Sequence, residues 1–281
     1  MIVTTGASGQ LGRLVAHALA DRVSPATVTL GARDPGKLAD LAAKGFKTAA
    51  VDFDKPASLA ATFSGADAVL IISGDAPNDV RIRQHRAAID AAKSAGVGRV
   101  VYTSFTNATP ASLFPFAAIH ADSETYLKAS GIPYTILRNN QYAENLTLAA
   151  AKESGEFALP GIGGKVAYIT RADLAAATAA VLTQPGHDGK VYELTGAEAL
   201  DLVEVADLLT KVSSTPIRAR EIPLSDYGSA LAGRGLPPFV VEALVGLRQA
   251  VAAGEYAAVT DDAHRLAGRP LETVRTFLAR A

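Results

Sequence analysis

The chain has 281 residues, of which 49% are hydrophobic and 20% charged, and its formal net charge is −1. This composition supports one large folded core with at most a small appended lobe, and the near-neutral charge excludes a general attraction to nucleic acid or to anionic membranes. Because the chain contains no cysteine, disulfides, thiolate catalysis and cysteine-ligated metal sites are excluded as well.

The distribution of apolar residues gives no sign of a membrane or secretory segment. No apolar run approaches the length that crosses a bilayer. The first strand pattern begins at residue 2, which leaves no room for the charged and apolar regions of a secretory leader. We therefore expect a cytoplasmic protein with no membrane partner and no nucleic-acid partner.

The most informative segment is a glycine-rich turn near the N-terminus. The apolar run Met1–Thr5 predicts a strand, and the residues after it, Gly6–Gly12, predict a turn into a helix. Glycines at 6, 9 and 12 permit a tight turn, leave no side chain between the backbone and a phosphate, and let the helix pack closely on the strand. The helix N-terminus then offers free N–H groups to the anion. The segment predicts a dinucleotide pyrophosphate site, the alternative being an ordinary strand-to-helix turn.

The second predicted strand, Thr27–Ala32, decides which dinucleotide is expected. A site for NAD usually carries an acidic residue at the end of this strand, roughly 20 residues further on, to accept hydrogen bonds from the ribose 2′-hydroxyl. Here the strand ends in Arg33. A guanidinium pairs with a 2′-phosphate through charge-assisted hydrogen bonds and stacks on adenine, which favours NADPH. Asp34 would suit NADH if the loop is shifted by one residue, and a solvated arginine is the other alternative.

Strand-like apolar runs alternate with helical patterns as far as residue 138. Runs this apolar are buried on both faces, and helical crossovers between them make the sheet parallel. We therefore predict a doubly wound α/β fold of the Rossmann type. The further strands are predicted at Phe46–Val51, Asp67–Ser73, Arg99–Ser104 and Pro133–Arg138, with helices near 36–43, 56–63, 78–95 and 117–130.

Beyond residue 138 the regular alternation fails. Asp201 and Glu204 have the spacing of a capping box, which predicts a helix that runs to about residue 213. The other predictions here are a Gly- and Pro-rich loop at 155–165, an extended segment at 166–170, a sheet strand at 190–195, and helices at 171–183 and near 225–233, 237–253 and 271–280.

This organisation predicts two lobes with a ligand cleft between them. An NADPH-binding domain comprises residues 1–138 plus 166–196, and a smaller substrate-facing lobe comprises residues 139–165 plus 197–281. Because ligands of doubly wound sheets bind at the carboxyl ends of the strands, we expect the cleft at that edge.

Polar and aromatic residues follow the carboxyl ends of three predicted strands. After the third strand, the carboxylate of Asp52 would accept a hydrogen bond from adenine and the ring of Phe53 would pack on its face. Small polar residues at such positions are also ordinary turn formers. Near the nicotinamide end of the cofactor we expect Ser73, Gly74, Asp75, Thr103, Ser104 and Phe105.

The helix after the fifth strand lacks the Tyr-x-x-x-Lys pair that short-chain dehydrogenases normally use on alcohols. It carries His120 and Glu124 at i, i+4 spacing, so the carboxylate is expected to pair with an imidazolium on the same face. His120 is a candidate proton donor or substrate ligand, and a surface ion pair is the alternative. Because two ligands without a third do not make a metal site, no metal is expected.

The absent tyrosine narrows the reaction. Hydride transfer to an isolated ketone leaves an alkoxide, whose conjugate acid is about as weak as water, with a pKa of roughly 15.7, and an acid catalyst is needed. Hydride transfer to a quinone leaves a phenolate-like anion, whose conjugate acid has a pKa of about 10, and solvent can protonate it. An NADPH site without the Tyr/Lys pair is therefore better matched to a quinone or another conjugated acceptor.

The segment that leaves the sixth strand, residues 136–145, is a second cluster of candidate site residues. It would cross the nicotinamide end of the cleft, and Arg171, at the start of a later helix, would return to the same place. Each of these residues also suits a purely structural hydrogen bond. The groups offered for hydrogen bonding or stacking are Arg138, Asn139, Asn140 and Tyr142.

Five motifs together resemble the NmrA-like branch of the atypical short-chain dehydrogenases, and most closely its type 2 NAD(P)H:quinone oxidoreductases. The resemblance covers essentially the whole chain. It implies a Rossmann domain, NADPH, two-electron quinone reduction without a flavin, and often a homodimer. The motifs are Gly6–Gly12, Ala32–Pro35, Leu137–Asn140, Thr170–Asp173 and Lys190–Leu194.

The resemblance also implies a set of cofactor contacts. Asp75 departs from the small polar residue expected at its position. The implied contacts are Gly6, Ala7, Ser8, Gly9, Gln10, Leu11, Arg33, Ser73, Gly74, Asp75, Arg138, Asn139, Asn140, Gln141, Tyr142, Ala143 and Arg171.

Three functions agree with these residues. The first hypothesis is NADPH-dependent reduction of a small quinone by direct hydride transfer, with His120 and Tyr142 as candidate catalytic residues and Phe105 with Tyr142 as a stacking surface for the acceptor. The family also contains redox sensors that bind NADP without turnover, so a non-catalytic NADP(H) sensor is the second. Reduction of another conjugated carbonyl or of an imine is the third.

Overall fold

The centre of the molecule is a seven-stranded parallel β-sheet, seen in a computed structural model that describes residues 1–146, 148–213 and 215–280. In chain order the strands are β1 (Ile2–Thr4), β2 (Val28–Ala32), β3 (Lys47–Ala50), β4 (Ala68–Ile71), β5 (Arg99–Phe105), β6 (Tyr134–Asn139), β7 (Glu156–Leu159), β8 (Lys190–Leu194) and β9 (Arg218–Glu221). The large sheet has the order β3-β2-β1-β4-β5-β6-β8, and β7 pairs with β9 in a small parallel sheet.

The described residues also form twelve α-helices, with short 3-10 turns at Pro25–Thr27, Pro35–Leu38 and Ala143–Asn145. The helices are α1 (Gln10–Ala20), α2 (Ala39–Ala42), α3 (Pro56–Phe63), α4 (Asn78–Ser94), α5 (Ala117–Ala129), α6 (Leu148–Ser154), α7 (Arg171–Thr183), α8 (Leu202–Ser213), α9 (Leu224–Gly233), α10 (Pro238–Ala252), α11 (Asp262–Ala267) and α12 (Val274–Arg280).

Helices cover both faces of the large sheet, and the predicted doubly wound fold is confirmed. On one face α1 packs against α7 over a hydrophobic cluster that includes Val15 and Leu30. On the other face α3, α4 and α5 cover a cluster that includes Val69 and Tyr102. All four residues of β4 are buried because of this double cover, as expected for a parallel sheet.

The order of the strands reverses between β1 and β4, and this reversal fixes the position of the cleft. Thr5 fastens the two strand exits together. Its N–H donates to the Leu70 carbonyl oxygen at 2.9 Å, and its hydroxyl oxygen accepts from the N–H of Ile72 at 3.0 Å. The carboxyl ends of β1, β4 and β5 therefore open onto one crevice.

The lobe contains elements that the sequence pattern did not predict. These are α6, α11 and the two strands of the small sheet. The prediction of a glycine- and proline-rich loop at 155–165 is wrong at its start, where β7 begins at Glu156. β7 and β9 are four residues each, and β9 is largely exposed, so neither carries a clear alternation of apolar and polar residues.

One element of the predicted lobe joins the sheet by packing. α11 contacts α7 and β8, and its residues Ala263 and Leu266 belong to the hydrophobic cluster of the large sheet. The division into residues 1–138 plus 166–196 and residues 139–165 plus 197–281 otherwise stays a prediction.

The capping box predicted at the start of α8 is confirmed. The N–H of Asp201 donates to Oε2 of Glu204 at 2.9 Å, and the N–H of Glu204 donates to Oδ1 of Asp201 at 2.9 Å. Two donors that the helix itself leaves unpaired are satisfied in this way. α8 then runs to Ser213, as the spacing indicated.

Gly12→Ala tests how closely α1 packs on the turn before it. A Cβ at Gly12 would lie 2.3 Å from the Gly6 carbonyl oxygen and 2.8 Å from Cα of Ala7. We expect the substitution to lower the free energy of unfolding by about 1–3 kcal/mol, because α1 and the turn must separate. Chemical denaturation without cofactor measures the change.

The matched control for this experiment is Gly233→Ala at the exposed end of α9. An added Cβ there meets no atom within 4 Å, so alanine should leave stability unchanged or raise it slightly. Equal losses in both variants would contradict the close-packing explanation.

Candidate active site

A long cleft of about 890 Å³ runs from the glycine loop to α10. We call the part formed by residues 6–12, 72–75 and 103–105 the loop half. A second part, which we call the lobe half, is lined mainly by aromatic and aliphatic side chains. The rest of the cleft is lined by Arg81, His120, Gln141, Tyr142, Asn145, Leu146 and Arg171. The residues of the lobe half are Phe114, Phe116, Phe157, Leu159, Tyr168, Leu202, Tyr227, Val240, Ala243, Leu244, Leu247 and Arg248.

The glycine loop has the geometry that a dinucleotide pyrophosphate requires. Gly6 has a φ of +62°, a conformation that residues with a side chain rarely adopt. Gly9 is the N-terminal cap of α1, and no side chain stands between its backbone and the cleft. The first turn of a helix has N–H groups without helical acceptors, and here that turn borders the loop half. The loop therefore fits a bound phosphate group.

Arg33 and Asp34, at the end of β2, differ in what they are free to bind. The Asp34 carboxylate accepts the N–H of Gly36 at 2.9 Å and caps the 3-10 turn. Arg33 is exposed, and its guanidinium has no partner in the described part of the chain. A free cation beside an engaged carboxylate favours recognition of a 2′-phosphate over a 2′-hydroxyl.

Hydrogen bonds hold the strand ends of the loop half in place. The N–H of Ser73 donates to Oγ1 of Thr103 at 3.2 Å, and Oγ of Ser73 accepts from Nη2 of Arg81 at 2.6 Å. The Arg81 guanidinium also lies 4.8 Å from the centre of the Phe116 ring, a cation–π contact. Because Arg81 is buried and lines the cleft, it places a positive charge next to the ligand site.

Behind the cleft, a buried chain of hydrogen bonds ends at His120. Nδ1 of His120 lies 2.8 Å from the Tyr102 hydroxyl, and that hydroxyl lies 3.3 Å from Nδ1 of His85. Nδ1 of His85 is in turn 2.8 Å from Oγ of Ser123, whose hydroxyl donates to the Ile119 carbonyl at 2.8 Å. His85 and Tyr102 are completely buried, whereas His120 lines the cleft.

Nε2 of His85 leads to one assignment of the protons in this chain, because it has no hydrogen-bond partner among the described residues. This atom is buried, so we assign the His85 proton to Nδ1, where it donates to the Ser123 oxygen while the Ser123 hydroxyl donates to Ile119. The proton of Tyr102 then goes to Nδ1 of His120. His120 is consequently protonated on Nε2, and that N–H is the group left for a ligand in the cleft.

Burial keeps both histidines of this chain neutral. Desolvation, followed by the nearby charge of Arg81, lowers the pKa of His85 to about 3. Desolvation, Arg81 and His85 together lower the pKa of His120 well below its usual value. At neutral pH His120 is therefore an imidazole that donates one N–H, and not an imidazolium.

The predicted ion pair between His120 and Glu124 is wrong. Glu124 accepts from Nε and Nη2 of Arg138 at 2.8 and 2.7 Å and from Oγ of Ser104 at 2.7 Å. Burial works against ionisation, but these hydrogen bonds prevail and lower the pKa of Glu124. Glu124 binds Arg138 of β6 in place of His120, because the planar guanidinium of Arg138 binds the carboxylate at two points.

The same network accounts for the position of Arg138, which was predicted to contact the cofactor. Its Nη1 donates to Glu193 at 2.8 Å, so that the guanidinium is held between two carboxylates. The side chain does not line the cleft. Asn140 is also engaged elsewhere, because its amide donates to the Tyr256 carbonyl at 3.1 Å.

Tyr142 and Arg171 lie where the two halves of the cleft meet. The Arg171 guanidinium stacks over the Tyr142 ring at 4.6 Å and donates to Oδ1 of Asn145 at 2.9 Å. The Tyr142 hydroxyl accepts from the Asn139 amide at 3.3 Å. The two side chains form a flat cationic and aromatic surface on the cleft.

The cleft brings together fourteen of the predicted site residues, which come from distant parts of the chain. Those that line it are Gly6, Gly9, Gln10, Leu11, Ser73, Gly74, Asp75, Thr103, Ser104, Phe105, His120, Gln141, Tyr142 and Arg171. Those that do not line it are Ala7, Ser8, Arg33, Asp52, Phe53, Arg138, Asn139, Asn140 and Ala143.

Asp52 and Phe53, predicted to hold adenine, have structural contacts. The Asp52 carboxylate accepts the N–H of Asp54 at 3.1 Å and lies 3.6 Å from Nζ of Lys55. Phe53 packs against the hydrophobic cluster on one face of the sheet. An adenine contact for either residue stays a prediction.

Sequence analysis did not predict the lobe half. Its clearest signal was available on α10, where Val240, Ala243, Leu244, Leu247 and Arg248 recur at the spacing of one helical face. This periodicity predicts a buried face but does not distinguish a cleft wall from an ordinary core contact. Only the packing of α10 across the cleft makes that distinction.

Neither a metal cluster nor a membrane-spanning helix is found among residues 1–146, 148–213 and 215–280. No three His, Cys, Asp or Glu side chains there are grouped so as to hold a metal ion. None of the helices is long and apolar enough to cross a membrane.

Known proteins match the chain over almost its whole length. The NAD(P)H-binding family matches residues 6–185. Quinone oxidoreductase 2 of Escherichia coli (strain K12) is 37% identical over 276 residues, which are 98% of this chain and 96% of the relative. NAD(P)H azoreductase of Xenophilus azovorans is 33% identical over 280 residues, which are 99% of this chain and 96% of the relative.

Solved structures share the architecture. The NADPH-dependent quinone oxidoreductase of Escherichia coli complexed with NADPH has a TM-score of 0.95 at 36% identity, and the match covers 100% of this chain and 99% of that one. The negative transcriptional regulator NmrA in complex with NADP has a TM-score of 0.80 at 15% identity, with 100% and 94% covered. At that identity NmrA supports the fold alone.

Arg33→Asp tests the predicted 2′-phosphate site. The Kd for NADPH should rise about 10–100-fold, because a charge-assisted contact is lost and a like charge is added. NADH lacks the 2′-phosphate, so its Kd should change by less than about threefold. Isothermal titration of both cofactors measures the two effects.

Arg22→Asp provides the control, since it makes the same charge change at an exposed position just after α1. The end of α1 lies at the opposite edge of the sheet from the glycine loop, so neither cofactor should bind differently. If Arg33→Asp weakened NADPH and NADH equally, Arg33 would not be the 2′-phosphate ligand.

Proposed function

Because this chain belongs to the NAD(P)H-binding family, and its full-length relatives are oxidoreductases, we propose that it reduces quinones with NADPH by direct hydride transfer. NAD(P)H-dependent oxidoreduction is the activity common to those relatives, and the quinone is the finer assignment. One observation supports the quinone assignment. The cleft joins the dinucleotide loop to the aromatic and aliphatic lobe half, and the neutral N–H donor of His120 lies on the wall of the cleft.

The loop half is suited to hold NADPH. Gly6, Gly9 and the first turn of α1 would bind the pyrophosphate, and Arg33 would bind the 2′-phosphate. When bound, NADPH supplies the hydride. The contribution of this chain is to align the acceptor, to polarise it and to keep water away from the reacting carbon.

His120 would orient and polarise the acceptor. Its Nε2–H can donate to a carbonyl oxygen in the cleft, and this hydrogen bond strengthens as negative charge develops on that oxygen. Because Tyr102 donates to Nδ1 at 2.8 Å, the ring cannot rotate without leaving a buried hydroxyl unpaired. A neutral imidazole is a very weak acid, so we infer that His120 stabilises the oxygen without giving up its proton.

A quinone is the acceptor that such a site can reduce without an acid catalyst. Addition of a hydride gives a hydroquinone monoanion, whose conjugate acid is a phenol with a pKa of about 10, and water supplies the proton. An isolated ketone would need a stronger acid. The Tyr142 phenol is a poor candidate for that role, because burial raises its pKa.

Aromatic side chains near His120 provide a surface for a planar ring. Phe105 stacks on the His120 ring at 6.3 Å with 26° between the planes, and Phe114 lies 5.2 Å from Phe105. Together with Tyr142 they line the cleft. A sensor of NADP(H) would need only the loop half, so this aromatic surface beside His120 supports an enzyme over a sensor.

Oxidation of NADPH by 1,4-benzoquinone in the presence of the protein tests the proposal. We expect protein-dependent loss of NADPH absorbance above the uncatalysed rate, one hydroquinone formed for each NADPH, and a preference for NADPH over NADH. Gly9→Val is the inactive control, because a branched side chain would occupy the space over the loop. Tight binding of NADPH without turnover would contradict the enzyme and support the sensor. Turnover confined to an imine or an azo compound would contradict the quinone.

The pH dependence and two variants test the role of His120. Because the pKa of His120 in the folded protein lies well below its usual value, the ring stays neutral and kcat/KM should be flat from about pH 6 to about pH 8. His120→Ala should lower kcat/KM roughly tenfold, the effect of one hydrogen bond. His120→Gln keeps an N–H donor and should lose less.

Melting temperature and NADPH affinity, measured for both variants, show whether the rest of the site is intact. A loss of about 10²–10⁴-fold in kcat together with an inflection near pH 6.5 would instead identify His120 as a general acid.

A further inference from the structure

We propose that Arg248 forms an anion-binding subsite at the far end of the cleft, so that the preferred acceptors are conjugated rings bearing a carboxylate or a similar anionic group. This subsite deepens the proposed function and rests on it for the identity of the ring. Arg248 is 6% exposed, yet its side chain lines both the lobe half and a smaller outer hollow beside Pro160 and Glu221.

Arg248 occupies a position where an apolar residue would complete the wall. The cleft-facing side of α10 is otherwise formed by Val240, Ala243, Leu244 and Leu247. Burying a charged group among apolar side chains is unfavourable unless the charge is paired. Packing of the apolar wall therefore does not account for an arginine at this position.

The protein partners of Arg248 are all neutral. Nε donates to the Pro160 carbonyl at 2.8 Å, Nη2 donates to the Gly161 carbonyl at 3.1 Å, and the Tyr168 hydroxyl lies nearby. No carboxylate in the described ranges forms an ion pair with this guanidinium. The exposed Glu221 carboxylate, which accepts the N–H of Gly161 at 2.6 Å, lies near enough to attract the guanidinium electrostatically but makes no direct ion pair with it.

These contacts fix the orientation of the guanidinium and leave donors unused. A guanidinium has more N–H groups than two carbonyls and one hydroxyl can occupy. A planar cation held by two backbone oxygens is preorganised for a carboxylate, which it binds at two points. Because no carboxylate of the described residues pairs directly with this guanidinium, its free donors are matched to an anion that enters through the cleft.

None of the other described charged side chains of the cleft pairs with Arg248, and the two other arginines have partners of their own. Arg171 is paired with Glu144 at 3.7 Å, and Arg81 is bound to Ser73. Asp75 is an exposed carboxylate of the loop half. Among the described residues that form the lobe half, Arg248 alone is charged, and the others are aromatic or aliphatic. A ring with an anionic substituent, bound between His120 and Arg248, would be held at both ends.

A matched pair of acceptors tests the subsite without altering the protein. The probes are benzoquinones with a carboxylate on alkyl tethers of increasing length, each compared with its methyl ester. For the wild-type enzyme we expect kcat/KM to favour the acid over the ester by about tenfold or more at the best tether length. Equal rates for acid and ester at every length would overturn the subsite while leaving quinone reduction intact.

Variants then assign the preference to this residue. Arg248→Gln removes the charge and should bring the acid-to-ester ratio close to one, whereas Arg248→Lys keeps the charge and should retain part of it. Arg220→Gln, at an exposed arginine of β9 that pairs with Glu156, should leave the ratio unchanged. If Arg248 only holds the Pro160 and Gly161 carbonyls in place, kcat/KM for the acid and for the ester will change in parallel. The acid-to-ester ratio will then stay at the wild-type value, which overturns the proposal.

Direct binding separates failure of the subsite from failure of the proposed function. Should neither quinone be reduced, the function fails, and calorimetry with 1-naphthoate, an aromatic carboxylate that cannot accept a hydride, decides the subsite. Binding that Arg248→Gln weakens about tenfold or more supports it. Equal binding to the wild type and to Arg248→Gln, or no binding at all, overturns it.

Discussion

The close approach of α1 to the turn after β1 is the constraint on which the site depends. At Gly12 the helix passes the Gly6 carbonyl with no room for a Cβ, and this contact brings the first turn of α1 to the carboxyl edge of the sheet. Thr5 joins β1 to the exit of β4 at the same edge. Since backbone atoms and the Thr5 hydroxyl make these contacts, the position of the phosphate site is set before any ligand-binding side chain is considered.

The buried hydrogen-bond chain that ends at His120 is a second constraint. Because Nε2 of His85 has no partner within the described ranges, the His85 proton is assigned to Nδ1, and Tyr102 then donates to His120. The positive charge of Arg81 nearby disfavours protonation of either histidine, while Arg81 itself is held by Ser73 and the Phe116 ring. A hydrogen-bond donor that does not titrate near neutral pH suits a reaction in which solvent provides the proton.

The two halves of the cleft come from different parts of the chain. The loop half follows from the strand ends, whereas the lobe half depends on how α10 is seated. Gly246 of α10 lies against the Leu113 carbonyl, where an added Cβ would be 2.5 Å from the oxygen, and Gly164 lies equally close to Val251. Because these close contacts lie apart from the glycine loop, substitutions on α10 can change which acceptor binds without changing the cofactor site.

The sequence by itself determined the features that depend on neighbouring residues. The glycine loop, the βα alternation, the capping box at Asp201 and Glu204, and Arg33 at the end of β2 are all read from local spacing, because turn and helix chemistry acts over a few residues. Tertiary structure decided which side chains pair. Glu124 binds Arg138 and not His120, β7 finds β9, and Arg248 enters the cleft, because each outcome depends on distances between segments that are remote along the chain.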